Sequence, residues 1–197
     1  MRPFVRHTGR AAVLDRPDVD TDQIVPKQFL KSISRTGFAQ ALFYDWMKDP
    51  AFELRQPEAQ GATILLAGPN FGCGSSREHA VWALMDYGFQ VVIAPSFGDI
   101  FRSNALKNGL LPVTLPAEEV KRLMQAARGG GEITVDLEAQ AITAPDGEVV
   151  FFQIETSERY RLLNGLDDIG LTLRYEKEIA AFEAEHPAPI DTTSVAA

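Results

Sequence analysis

Three short apolar runs, separated by stretches long enough for helices, constrain this chain more than any other feature. Residues 63–67 (TILLA), 91–94 (VVIA) and 110–115 (LLPVTL) show no polar alternation. That is the pattern of strands covered on both faces, since a half-exposed strand would alternate with period two. Residues 76–87 and 97–107 lie between them and read as helices. The stretch 80–85 is apolar throughout and is expected to be largely buried, and Gly109 stands where a left-handed C-cap is wanted. A β/α alternation of this kind points to an α/β domain with a mixed sheet.

The flanking segments extend the pattern. Residues 4–14 read as extended, 15–22 as a loop, 36–47 as a helix carrying Phe38, Leu42, Phe43 and Trp46, and 50–61 as a second loop. Pro116 opens a helix with Glu118 and Glu119 in its first turn and an apolar stripe of Val120, Leu123, Met124 and Ala127, stopped by glycines 129–131. Residues 132–137 and 149–154 are strand candidates around a Pro145-Asp146-Gly147 turn. Residues 161–165 and 169–185 read as helices. The expected organisation is one domain over 1–186 and a mobile tail over 187–197. A chain of 197 residues with 45% hydrophobic and 23% charged residues supports one such core and is too short for two comfortable ones.

Charge and cysteine content narrow the chemistry. The net charge is −8, with 19 basic and 27 acidic side chains and no basic stripe, so no nucleic-acid partner is expected. No run approaches the roughly 20 apolar residues of a membrane span, and the first ten residues lack a signal peptide's apolar core, so the expected address is cytoplasmic. Cys73 is the single cysteine, and the three histidines are scattered. One thiol cannot hold an iron–sulfur cluster or a structural zinc, so no metal or cofactor is expected on this chain itself.

The segment 70–80 (NFGCGSSREHA) carries the most chemistry, because it joins a buried strand to a buried helix. Gly72 and Gly74 admit backbone angles closed to other residues and let a ligand approach the main chain. Ser75 and Ser76 are expected at the helix N-cap, where backbone N–H groups face an anion, and Arg77 adds a fork matched to a carboxylate. An ordinary capping serine beside a tight turn explains the local chemistry equally well. The Gly-Lys-Ser/Thr ending of a phosphate loop and the Gly-x-Ser-x-Gly frame of a hydrolase are both missing.

The string GSSREHA resembles the active-site segment of the aconitase superfamily swivel domain, and NFGCGSSREHA is similar to the form found in small subunits of 3-isopropylmalate dehydratases. Two further segments agree in order: residues 20–24 (DTDQI) and 101–112 (FRSNALKNGLLP). The resemblance spans roughly 4–178 and implies a layered β/β/α swivel domain. It also implies a hydro-lyase that moves a hydroxyl between adjacent carbons of 2- and 3-isopropylmalate, in leucine biosynthesis. A partner large subunit is implied to hold a [4Fe–4S] cluster, with a small dicarboxylic hydroxy acid as substrate.

By the same resemblance, Ser75 takes the proton, Ser76 and Arg77 bind a carboxylate, and Asp22, Gly72 and Gly74 support them. Residues 26–37 resemble a specificity loop in which Phe29, Leu30 and Ile33 supply apolar contact, while Lys31 and Arg35 pair with an acid group or with the partner. Related hydro-lyases acting on citraconate, dimethylmaleate or homoaconitate are the alternative. A binding-only domain and a free-standing serine hydrolase stand further off.

Overall fold

The computed structural model describes residues 1–30 and 36–186. Seven strands run β1 (Arg6–Leu14), β2 (Ile64–Ala67), β3 (Val91–Ala94), β4 (Leu111–Thr114), β5 (Glu132–Asp136), β6 (Ala141–Thr143) and β7 (Val149–Phe151). They form one mixed sheet in the order β4-β3-β2-β1-β5-β6-β7. The first four are parallel and the last three join antiparallel. β1 serves both parts: Arg6–Arg10 pairs with β5, and Ala11–Leu14 pairs with β2.

The helices that matter most for the site are α1 (Thr21–Ile24), α2 (Glu78–Tyr87), α3 (Asp99–Asn108) and α4 (Ala117–Arg128). Two hydrophobic cores explain why β2 and β3 are apolar at every position. Leu65, Ala67, Val92 and Ala94 pack with Ala80, Val81, Leu84 and Ala105 from α2 and α3. Ile64, Leu66, Val91 and Ile93 face the other way, onto Val120, Leu123 and Met124 of α4 and onto Ile133, Val135 and Ile142. Each large apolar side chain buried in this way contributes about 1.5–3 kcal/mol. The α4 stripe and the left-handed Gly109 at the end of α3 are as expected, with Ala127 half-buried beside the stripe.

Three expectations are overturned. Residues 36–47 form short 3₁₀ turns at Ala39–Ala41 and Trp46–Lys48 in place of one helix. Ala41, Leu42 and Phe43 are buried in succession, which a one-sided surface helix cannot achieve. Phe43 takes φ 48° to stack on Trp46 and meet Phe52. The strand β6 was not expected, because three residues between two turns carry almost no periodicity. The span 169–185 is two helices, α6 (Asp168–Leu173) and α7 (Glu176–Glu185), preceded by α5 (Thr156–Asn164), which starts earlier than its pattern indicated. The proposed tail 187–197 lies outside the described residues. Among the described residues, no helix is long and apolar enough to cross a membrane.

Candidate functional site

Strands β1, β2 and β3 are parallel, so their carboxyl ends open on one edge of the sheet, where ligands of α/β proteins commonly bind. The loops leaving them are stitched together. The Gly72 N–H donates to Val19 O at 2.7 Å, and Asp20 and Cys73 form a parallel bridge. Phe71 and Phe97 form a second bridge, closed by the Gly98 N–H to Phe71 O at 2.9 Å. The Asn70 side chain donates to Asp18 Oδ1 at 2.8 Å.

Gly72 and Gly74 have φ of 73° and 93°. A side chain on Gly72 would sit 2.2 Å from Phe101 Cγ, so this turn closes directly onto α3. On Gly74, the nearest atom to an added Cβ would be Asp20 Cβ at 3.4 Å, an ordinary contact.

The expected N-cap assignment is corrected. Helix α2 begins at Glu78, with Arg77 in the cap position and no side-chain cap. Ser75 and Ser76 lie ahead of the helix, Ser75 in a bend, and both are exposed. The cause is local: the Arg77 N–H turns back to Ser75 O at 2.9 Å, which uses a donor that a capping serine would otherwise meet. The Glu78 carboxylate accepts from the Asn108 side-chain amide at 2.7 Å.

What holds Ser75 and Arg77 is the turn at α1. Asp20 caps α1 with a reciprocal box: its side chain accepts from the Gln23 N–H at 2.8 Å, and Gln23 Oε1 accepts from the Asp20 N–H at 2.9 Å. The two residues after the cap then reach across. Thr21 Oγ1 lies 3.1 Å from both Ser75 Oγ and Ser75 O. Asp22 Oδ1 accepts from Arg77 Nη1. That bond occupies one of five guanidinium N–H donors and leaves a fork for an incoming carboxylate.

Among the described residues, Thr21 is the one buried polar side chain, at 1% exposure. Sequence reasoning passed over it, although it stands between the two aspartates of the segment already singled out. Its partner lies 54 residues away, so no local pattern announces the contact.

The other side chains of these segments have separate surroundings. Burial, reinforced by the nearby Asp20 and Asp18 charges, pushes the Cys73 thiol up, so it stays protonated at neutral pH. His79 sits between Phe38 and Trp82, with ring centroids at 5.2 and 4.7 Å. Phe29 packs edge-on against Tyr44 at 5.0 Å, and both Phe29 and Leu30 rest half-buried on the core. Lys31, Ile33 and Arg35 lie outside the described residues. Lys107 is exposed in the last turn of α3. Among the described residues, no three or more His, Cys, Asp or Glu side chains are grouped to hold a metal ion, and one thiol does not fit an iron–sulfur cluster.

Comparison with known proteins agrees over nearly the whole chain. A family model described as the aconitase C-terminal domain matches residues 1–118. A second, described as the C-terminal domain of the 3-isopropylmalate dehydratase small subunit, matches 168–188. The chain is 58% identical over 191 residues to a 3-isopropylmalate dehydratase small subunit of Halalkalibacterium halodurans, covering 93% of this chain and 98% of the relative. A protein of the same name from Parafrankia is 56% identical over 196 residues, covering 98% and 100%. A solved 3-isopropylmalate dehydratase structure from Methanocaldococcus jannaschii superposes with a TM-score of 0.67 at 29% identity, covering 90% of this chain and 99% of that one.

Proposed function

Because the chain belongs to the family of 3-isopropylmalate dehydratase small subunits, we propose that the mouth around Ser75 is its half of an active site completed by a large subunit. The chain is a hydro-lyase subunit. With its partner it interconverts 2-isopropylmalate and 3-isopropylmalate through isopropylmaleate, a step of leucine biosynthesis in the cytosol. A [4Fe–4S] cluster on the partner supplies Lewis-acid chemistry toward the departing hydroxyl.

This chain's residues manage the proton and the carboxylate. Ser75 Oγ, as the alkoxide, takes the proton from C3, next to the hydroxyl-bearing carbon. The C–H electron pair becomes the C=C bond, and hydroxide leaves from C2. Return of the proton to C2, with hydroxide added at C3, moves the hydroxyl. Arg77, held at one N–H by Asp22, offers its remaining fork to a substrate carboxylate, with Ser76 beside it. Phe29 and Leu30, half-buried on the core, are assigned the apolar contact with the isopropyl group.

The observation that carries this reading is the pairing of neighbours: Thr21 with Ser75, and Asp22 with Arg77, at the carboxyl ends of parallel strands. Ser75 is exposed in the single chain, and water there would quench an alkoxide. A dry site therefore requires a second protein surface.

The test is reconstitution. The isolated chain is expected to turn over no isopropylmalate, and adding a large subunit is expected to restore turnover. Ser75→Ala should assemble normally and lose at least 10²-fold in kcat, the scale of general-base catalysis. Turnover by the single chain, or an active Ser75→Ala enzyme, refutes the assignment. Faster turnover of citraconate or homoaconitate than of isopropylmalate would move the substrate within the family.

A further inference from the structure

We infer that Thr21 is a positioning residue for Ser75, a buried hydroxyl that donates its proton to the serine oxygen while that oxygen is an alkoxide and accepts from the serine hydroxyl once Ser75 has taken the substrate proton, until that proton is returned. The inference rests on the reading of Ser75 as the base and adds how that base is set.

Hydrogen-bond accounting leads to it. Thr21 Oγ1 has one proton and two lone pairs. It lies 3.1 Å from Ser75 O, which can only accept, and 3.1 Å from Ser75 Oγ, which can do either. Thr21 cannot donate to both at once. When it donates to the carbonyl, the Ser75 hydroxyl donates to Thr21, so the serine proton points inward and its lone pairs face outward from the exposed surface. Once Ser75 is an alkoxide it can only accept. Rotation about the Thr21 Cβ–Oγ1 bond then brings the proton to it.

Burial restricts Thr21 to these two states. At 1% exposure, no bulk water competes for its hydroxyl. The backbone beneath it is fixed, because the Thr21 N–H donates to Cys73 O at 2.9 Å and the Asp20–Gln23 box locks the turn. With the backbone fixed, rotation of this one hydroxyl is the only reorganisation needed to meet charge on Ser75. The N-cap that sequence suggested is not formed by Ser75, so Thr21 supplies the support expected of it.

The experiment uses the reconstituted two-chain enzyme with 3-isopropylmalate, either unlabelled or deuterated at C3, and follows the ultraviolet absorbance of isopropylmaleate. Thr21→Val keeps the shape and removes the hydroxyl. It is expected to lower kcat by roughly 10²-fold, the scale of a lost oxyanion donor, with KM nearly unchanged. The deuterium isotope effect on kcat should rise, because proton abstraction becomes slower relative to other steps. Thr21→Ser retains the hydroxyl and should restore both readouts.

Loss of folded enzyme would lower kcat but leave the isotope effect untouched, so a drop without a raised isotope effect overturns the inference. So does a Thr21→Val enzyme within a few-fold of wild type. Should Thr21→Val fail to assemble, Thr21→Ala removes the same donor without a branched side chain and decides by the same readouts. Ser75→Ala is run in parallel. If it stays active, the base assignment falls and Thr21 with it; if it is inactive while Thr21→Val is normal, only the Thr21 inference falls.

Discussion

Replacing Gly72 with alanine should destabilise the domain far more than replacing Gly74, although both glycines have positive φ and stand two residues apart. The shared component is conformational: an L-residue in the left-handed region costs about 1–2 kcal/mol. The difference lies in what the new methyl meets. At Gly74 the nearest atom is Asp20 Cβ at 3.4 Å, an ordinary van der Waals contact. At Gly72 it is Phe101 Cγ at 2.2 Å, with Phe101 Cβ at 2.6 Å.

Turning the ring aside cannot relieve that clash, because the β-carbon itself is too close. Phe101 is also held edge-on by Phe71 at 5.3 Å and stacked against Phe97 at 6.1 Å. Either α3 or the loop must shift, and overpacking of this kind costs about 1–3 kcal/mol more. Gly72→Ala is therefore expected to lose roughly 2–5 kcal/mol in total, against about 1–2 kcal/mol for Gly74→Ala. In a chain of this size each kcal/mol lowers Tm by about 2–4 °C. Urea unfolding of both variants, followed by tryptophan fluorescence, measures the gap. Equal losses at the two sites would show that the close approach of the 71–74 turn to α3 is wrong.

Two further outcomes follow from other parts of the fold. Burial lowers the pKa of His7, partly offset by the Glu132 charge, while its Nε2 lies 2.7 Å from Thr63 Oγ1. A lowered folded pKa means that the unfolded chain binds the proton more readily. The contribution is thus complete above the unfolded value of 6.5 and is lost as pH falls through 6.5 toward the folded one. Urea midpoints from pH 8 to pH 5 should drop more steeply in the wild type than in His7→Gln, and parallel slopes would count against it. Helices α6 and α7 contain no buried residue, and Ile169, Leu173 and Phe182 are more than half exposed. Ending the chain after Asp167 should consequently move Tm by only a few degrees, and cooperative unfolding lost on truncation would contradict the separation of these helices from the core.

Much of the framework was legible without coordinates, and the particular elements show why. The strands β2, β3 and β4 and the helix α4 each announce themselves within a few residues, through unbroken apolar runs, an apolar stripe and glycine stops. Gly109 was readable because a left-handed C-cap favours one residue type. Residues 36–47 misled because aromatic spacing close to a helical repeat arose from packing on two sides. The break at Arg174 and Tyr175 carries neither proline nor glycine, so nothing local marks it.

At the site, sequence by itself determined the donors: a serine pair, an arginine and glycines in one turn, with an aspartate-rich segment upstream. Those are chemical identities, and they survive any arrangement of the chain. Which donor meets which was decided only when β1 and β2 aligned side by side, bringing residues 21 and 22 against 75 and 77 across more than fifty positions. Pairing at that separation depends on the register of two strands and on a core formed by the whole domain, and no local pattern encodes either one.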